Sequence, residues 1–445
     1  MSVEQWLELI NELPLADTHE HLMEEDSRDE ASSHWGLQDF SVFFAAYPES
    51  DLQSAGMSKA DTDLLLGTKT ETAKKWQLVK PYWEYIKNTG YGKVIRISIK
   101  EMFDEDDLHD GNWESLSSQI AEQIKPGWYH RIVKDIAKID HLHVNTLQDV
   151  SFAETLYPEY MLQDLSILQL SVDLNIKGLE QRHDFSVSKF SDLQELIELI
   201  FHNFGPRAVA VKNQGAYLRR LDFEDVPKEE AERCFEKYAA TNFELRGPER
   251  KPLEDWLFHQ CVNKATEYQL PVKLHTGYYA GVAGMPLHRV GANPGDCAEL
   301  CMKHPDARFV FMHSMYPYQD ELISLCKHFP NAFPDMCWTW IINPAASVRF
   351  VCEAMMAVPV NKIFLFGGDH CQAELIPGHA RIARNGLALA LECLVSDGWF
   401  STQDAEYAAR RLTLENAREL YDIARCCANN NARKRGHPIH EKPAV

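Results

Sequence analysis

The chain has 445 residues and carries 45 Lys and Arg against 66 Asp and Glu, a formal net charge of −21. That acidity argues against a nucleic-acid binder or a partner for anionic membranes, because both need a cationic footprint. With 45% hydrophobic and 25% charged residues and only 22 Gly and 21 Pro, it reads as a packed globular protein rather than a disordered or fibrous one.

The opening stretch MSVEQWLELINELPLADTHEH has no basic segment leading into an apolar core. No window reaches the roughly 18 apolar residues of a membrane span, so a cytoplasmic protein is expected. The eleven cysteines all lie from Cys234 onward, include the adjacent Cys426 and Cys427, and form no C-x-x-C. Reduced thiols packed in a core are expected, not a disulfide framework or a zinc knuckle.

Eight short β-rich runs recur along the chain, mostly separated by helix-length segments. They are Leu13–Glu20, His141–Gln148, Met161–Leu168, Arg207–Gln214, Val272–Gly277, Arg308–Ser314, Asn331–Trp338 and Lys362–Gly368. Strands alternating with helices predict right-handed β-α-β units, and eight of them predict closure into a (β/α)8 TIM barrel over residues 1–425. The second and third runs are more polar, and Gly90–Lys100 (GYGKVIRISIK) competes with them as a strand.

Residues 22–140, between the first two runs, are too long for an ordinary connection and predict a mostly helical insertion, a cap over the active-site face or an extension on the barrel side. Near the end, STQDAEYAARRLTLENARELYDIA reads as two helices, the second capped by Thr413. Residues 426–445 read as a loose tail whose basic cluster, Arg433, Lys434 and Arg435, is weak evidence for a partner.

The strongest chemical feature is Asp17-Thr18-His19-Glu20-His21 at the end of the first run. Strand alternation puts Asp17, His19 and His21 on one face and Ala16, Thr18 and Glu20 on the other. Two imidazoles on successive inward positions can chelate one divalent metal, with Asp17 in a supporting hydrogen bond. His141 and His143 share the spacing but lack the acidic lead-in, and ordinary polar side chains are the better reading there. Further candidates stand at other strand ends: His275 in VKLHTG, His313 in FVFMHS and Asp369 in FLFGGD. Alternation points each toward the barrel mouth, and several independent sites on one rim favour a metal centre. Lys212, in RAVAVKNQG, has three readings: a carbamate bridging two metals, an ammonium that binds a substrate anion, or a lysine snorkelling to the rim.

This ordered set resembles the amidohydrolase superfamily of metal-dependent barrels. The resemblance runs from about Leu13 to Ile423, and the order DTHEHL, HTG, Leu287-His288-Arg289 with Asn293-Pro294, MHSMYPY and FGGD looks most like the amidohydrolase-related (amidohydrolase 2) branch. It implies that His19 and His21 are metal ligands, that Lys212 matches the lysine of binuclear members, that His275 and His313 match further histidines, and that Asp369 is both ligand and general base. The long insertion is similar to that of uronate isomerases, whereas Lys212 and FGGD depart from them.

The expected activity is metal-dependent hydrolysis of a C–N or C–O bond in a small polar, carboxylate-bearing molecule. One or two divalent ions are expected, zinc first and manganese as the alternative. Asp369 would move the water proton, and His313 would ligate a second ion or steady an oxyanion. Isomerase or decarboxylase chemistry at the same site is the alternative, and a non-enzymatic ligand-binding barrel is remote. Arg289, Tyr316, Trp338 and Arg182 are candidate substrate contacts. A small molecule is the expected partner, with no nucleic acid and no membrane, and homo-oligomerisation stays open.

Overall fold

The computed structural model describes residues 1–28, 36–148 and 150–434. The chain is α/β. Its strands are β1 (Leu15–Glu20), β2 (Ile139–Val144), β3 (Met161–Gln163), β4 (Leu165–Ser166), β5 (Val211–Asn213), β6 (Val272–Leu274), β7 (Phe309–Phe311) and β8 (Ala332–Pro334). They form a three-stranded sheet ordered β1-β2-β3 and a five-stranded sheet ordered β4-β5-β6-β7-β8. From β4 to β8 every pairing is parallel, and the register sets Lys212 beside Lys273. The third expected run is therefore split at Asp164 into β3 and β4.

The last expected run is extended chain. Thr18 N–H donates to the Phe366 carbonyl, Asp369 N–H to His19 and His21 N–H to His370, at 2.8–3.0 Å. Residues 366–370 thus complete one edge of β1 even though backbone geometry interrupts a regular ladder.

By internal contacts the chain divides into two compact units. The first holds Met1–Leu142, Tyr279–Pro286 and Met336–Glu415; the second holds His143–Tyr278, Leu287–Asp335 and Asn416–Val445.

In the first unit, the segment between β1 and β2 carries helices Tyr47–Ser54, Lys59–Leu65, Thr72–Ile86, Gly90–Phe103 and Trp113–Gln123. Aromatic side chains fill its interior: Phe44 meets Trp83 edge to face at 5.5 Å and Phe40 meets Trp76 at 6.0 Å. Such pairs add about 0.5–1.5 kcal/mol each beyond area burial. The Gly90–Lys100 stretch is helical, which corrects its reading as a competing strand. Thr89 caps it by accepting the Gly92 N–H at 3.1 Å. Val94, Ile95, Ser98, Ile99 and Met102 are buried at helical spacing, so tertiary packing overrides the β-branched preference of VIRISI.

The long helix Ile376–Ser396 packs against helices Val3–Glu12, Gly90–Phe103 and Pro344–Ala357. Two glycines permit close approach. A Cβ on Gly378 would lie 2.2 Å from the Val94 carbonyl oxygen, and one on Gly386 would lie 2.0 Å from the Trp340 ring.

The carboxyl-terminal region departs from expectation in two ways. Thr413 does not cap a helix: it lies in a π-helical turn, Arg411–Glu415, and its hydroxyl donates back to the Ala409 carbonyl at 2.8 Å. Residues 426–434 are no loose tail, because helix Ile423–Lys434 continues through them. Asn429 donates to the Pro206 carbonyl at 2.7 Å and Asn430 to Arg207 at 2.9 Å. Side-chain amides replace the missing apolar stripe as the anchor, which is why hydrophobic periodicity did not reveal it. Residues 435–445, with Arg435, lie outside the described residues.

No disulfide forms among the eleven cysteines. Cys234, Cys261, Cys297, Cys301, Cys326, Cys337 and Cys426 are buried, while Cys352, Cys371 and Cys427 are half-buried and Cys393 is exposed. No helix among the described residues is long and apolar enough to cross a membrane.

Gly386→Ala tests the close approach. Helix propensity alone would favour alanine by about 1 kcal/mol, but the clash with the buried Trp340 ring should cost about 1–3 kcal/mol and win. The urea midpoint should fall; a rise would show that the ring yields freely.

Candidate metal centre

In the first unit, β1 and residues 366–370 run side by side and bring three candidate ligands together. His19 Nε2 and His21 Nε2 are 3.3 Å apart. Asp369 Oδ1 lies 3.1 Å from His19 Nε2 and 3.2 Å from His21 Nε2. All three residues are buried, and their ligand atoms lie within 4.8 Å of one another.

The donor set fits a divalent ion. Two atoms each about 2.1 Å from one tetrahedral ion lie about 3.4 Å apart, close to the spacings here. Two neutral imidazoles and one carboxylate are ordinary ligands for zinc or manganese. Three negative or lone-pair atoms converging on one buried point repel one another unless a cation or proton lies between them.

The supporting residues act through the backbone. Asp17 Oδ1 accepts N–H bonds from His19 at 3.2 Å and Gly368 at 3.1 Å, which ties the two ligand-bearing segments together. Asp369 adopts φ 60°, a left-handed conformation, and its carbonyl accepts the Tyr47 hydroxyl at 2.6 Å.

Glu20 escaped the sequence reading because alternation put it on the face away from the histidines. That face is not solvated: Glu20 is fully buried, and its Oε2 accepts the His370 N–H at 2.6 Å. Burial, and then the Asp17 carboxylate beside it, push the Glu20 carboxyl well above its ordinary range. Protonated Glu20 can therefore share a hydrogen bond with Asp17. The available signal was the acid itself, since a strand covered on both faces leaves no place for a solvated carboxylate. His370, whose Nε2 lies 3.0 Å from His379 Nδ1, is held down to about 3 by burial, with Asp369 opposing. Both rings are thereby kept neutral. Glu374 is buried too and accepts from Arg28 at 2.6 Å and Trp128 at 2.9 Å.

In the second unit, His275 and His313 meet: His313 Nε2 is 2.9 Å from His275 Nδ1. His275 Nε2 donates to the Tyr278 carbonyl at 3.1 Å, which fixes the tautomer and directs the Nδ1 lone pair to His313. The HTG motif needs its glycine. Gly277 has φ 75°, and a Cβ there would lie 2.6 Å from the Met315 carbonyl carbon.

Lys212 is fully buried, with Nζ 2.6 Å from the Met312 sulfur. That burial removes the snorkelling reading. Its neighbour Lys273 binds Asp164 at 2.8 and 3.0 Å and His143 Nδ1 at 3.0 Å, all three residues buried. His141 instead pairs with Asp140 at 2.7 Å. The two histidines of β2 thus serve separate polar contacts.

The four candidate substrate residues have other occupations. Arg289 donates to the carbonyls of Ala216, Tyr217 and Leu218 and so braces that loop, whose Tyr217 ring packs 4.4 Å from His275. Trp338 is fully buried and covered by Tyr47, with ring centroids 4.4 Å apart. Arg182 ends helix Ile176–His183 and binds Gln169. Tyr316 is half-buried, with its ring edge-on to Tyr278 at 6.4 Å.

Residues 206–423 match the family model described as Amidohydrolase. Protein fluG of Emericella nidulans is 26% identical over 255 residues, which is 53% of this chain and 29% of that protein; the chain thus spans under a third of the length of the curated relative it matches. Among solved structures, the glucuronate isomerase of Caulobacter crescentus is similar with a TM-score of 0.74 at 15% identity, covering 95% of this chain and 94% of that one. The uronate isomerase of Thermotoga maritima gives 0.73 at 12%, covering 94% and 97%. A candidate metal-dependent hydrolase from Lactobacillus casei ATCC 334 gives 0.63 at 16%, again covering 94% and 97%. The fold is therefore a (β/α)8 TIM barrel with a long, mostly helical insertion after the first strand. The family match covers residues 206–423, while over nearly the whole chain the fold is similar to that of two uronate isomerases.

The buried Lys273–Asp164 pair offers a stability test beside the ligands. Asp164→Ala would strand a buried ammonium, and breaking such a pair costs about 3–5 kcal/mol. Urea unfolding should show a loss of that size; a change under 1 kcal/mol would mean that the ammonium finds another partner or water.

Proposed function

We propose that the protein is a metal-dependent hydrolase acting on a C–N or C–O bond of a small polar, carboxylate-bearing molecule. The observation that carries this reading is the buried convergence of His19, His21 and Asp369, with Asp369 Oδ1 3.1 and 3.2 Å from the two imidazole nitrogens. A bound divalent ion, zinc or manganese, supplies Lewis acidity and brings the pKa of water toward neutrality.

His19 and His21 would hold the ion through Nε2. Asp369 would contribute one carboxylate oxygen as a ligand and use its carboxylate to accept the proton of the attacking water and return it to the leaving group. Burial and the Asp17 carboxylate push Glu20 toward its neutral form, and its Oε2 accepts the His370 N–H, so Asp369 is the carboxylate assigned the proton-accepting role. His275 and His313 would offer a second pair of ligand nitrogens, and His313 would otherwise be a donor for a developing oxyanion. Lys212, buried beside Met312, would serve as a carbamate ligand of a second ion or as an ammonium contact for the substrate anion.

The likeness in fold to two uronate isomerases over nearly the whole chain favours one second reading. The same residues would then hold an ion that supplies Lewis acidity for isomerising a carboxylate-bearing sugar acid.

Protein purified without chelator should hold one or two equivalents of divalent metal by elemental analysis. A chain that neither carries a metal nor takes one up on reconstitution would end both readings. Asp369→Asn should lower turnover by at least about a thousandfold while the circular dichroism spectrum stays unchanged. Full activity in that variant removes Asp369 as the base. Screening metal-loaded protein against small amides, lactones and uronates separates hydrolysis from isomerisation, and a mass increase of one carboxyl group on Lys212 marks the carbamate.

A further inference from the structure

The side chain that meets the backbone of Asp369 comes from the insertion, and its surroundings go beyond what filling space requires. Tyr47 opens helix Tyr47–Ser54 directly after Ala46, which sits at φ 64° and ψ −110°, a conformation that L residues rarely adopt. The chain accepts that geometry where it delivers the ring. Tyr47 is then held between two aromatic partners: Trp338 at 4.4 Å and 24° between planes, and Tyr91 at 5.6 Å and 19°.

Its hydroxyl donates to the Asp369 carbonyl at 2.6 Å. On the other side of the same Cα, the Asp369 N–H donates to the His19 carbonyl at 2.8 Å. Asp369 has φ 60°, a left-handed region that, outside glycine, mainly Asn and Asp enter. With one bond to its N–H and one to its carbonyl, the residue cannot relax toward ordinary backbone angles without breaking one of them.

We propose that Tyr47 is a positioning residue for Asp369, holding its backbone in the conformation that presents the carboxylate to His19 and His21. The insertion is then a fixed buttress of the ligand set through this contact, and its helices are part of the metal centre's support. This rests on the metal reading above. Tyr47 touches no reacting atom; it acts through the backbone of Asp369.

Tyr47→Phe keeps the ring and its stacking partners and deletes only the hydroxyl. Zinc affinity by chelator competition should weaken by about tenfold or more, as for other groups that orient ligands, and the visible absorption of the cobalt(II)-substituted protein should shift. The unfolding midpoint of the metal-free variant should stay near that of the unaltered chain. A purely structural role predicts the reverse: a lower metal-free midpoint with unchanged zinc affinity and cobalt spectrum, and that result would overturn the proposal. Failure of the unaltered chain to bind either metal would overturn the metal reading and this proposal with it, whereas loss confined to Tyr47→Phe separates the two.

Discussion

Everything in this chain is conditioned by one constraint: its strands are covered on both faces, so polar side chains on them have no water to return to. Asp17, His19, Glu20, Asp164, Lys212 and Lys273 are all at or below 2% exposure. Burying a charge without a partner costs several kcal/mol. Asp17, Glu20, Asp164 and Lys273 are consequently paired, pushed toward the neutral form or hydrogen-bonded to backbone. Lys273 is neutralised by Asp164, Glu20 is pushed toward its neutral acid, and Asp17 is spent on two amide N–H groups. His19, His21 and Asp369 answer the same constraint with a donor set that suits a cation.

This arrangement gives the two ends of the strands different chemistry. Lys273 lies two residues before His275 on the same face, and its closed contacts with Asp164 and His143 complete an internal ion cluster. Past the strand end, His275 and His313 face one another. The alternation that places His275 past the strand end also places Lys273 in its ion pair on the same face of one short strand.

The parts legible in the sequence were those whose signal is local. DTHEH, HTG and FGGD announce themselves within five or six residues, and six of the eight apolar runs each hold one strand, the third holding two and the last none. What escaped was long-range. Tyr47 reaches Asp369 across 322 residues, Glu20 reaches His370 across 350, and Asn430 reaches Arg207 across 223. No periodicity encodes such meetings. Gly90–Lys100 failed for the opposite reason: its local β preference was real, but a buried helical stripe against Ile376–Ser396 was stronger. Arg289 and Trp338 take part in a loop brace and an aromatic stack that their own segments do not announce.

The pairing of β1 with residues 366–370 also sets an order of events during synthesis. His19 and His21 leave the ribosome nearly 350 residues before Asp369. At about 5–20 residues per second, the delay is roughly 20–70 s. For that time the strand edge carrying both histidines lacks the segment that closes it and supplies the carboxylate. Any helper that shields an unpaired strand edge, or any metal ion drawn to a bare pair of imidazoles, would therefore find β1 open until residues 366–370 arrive.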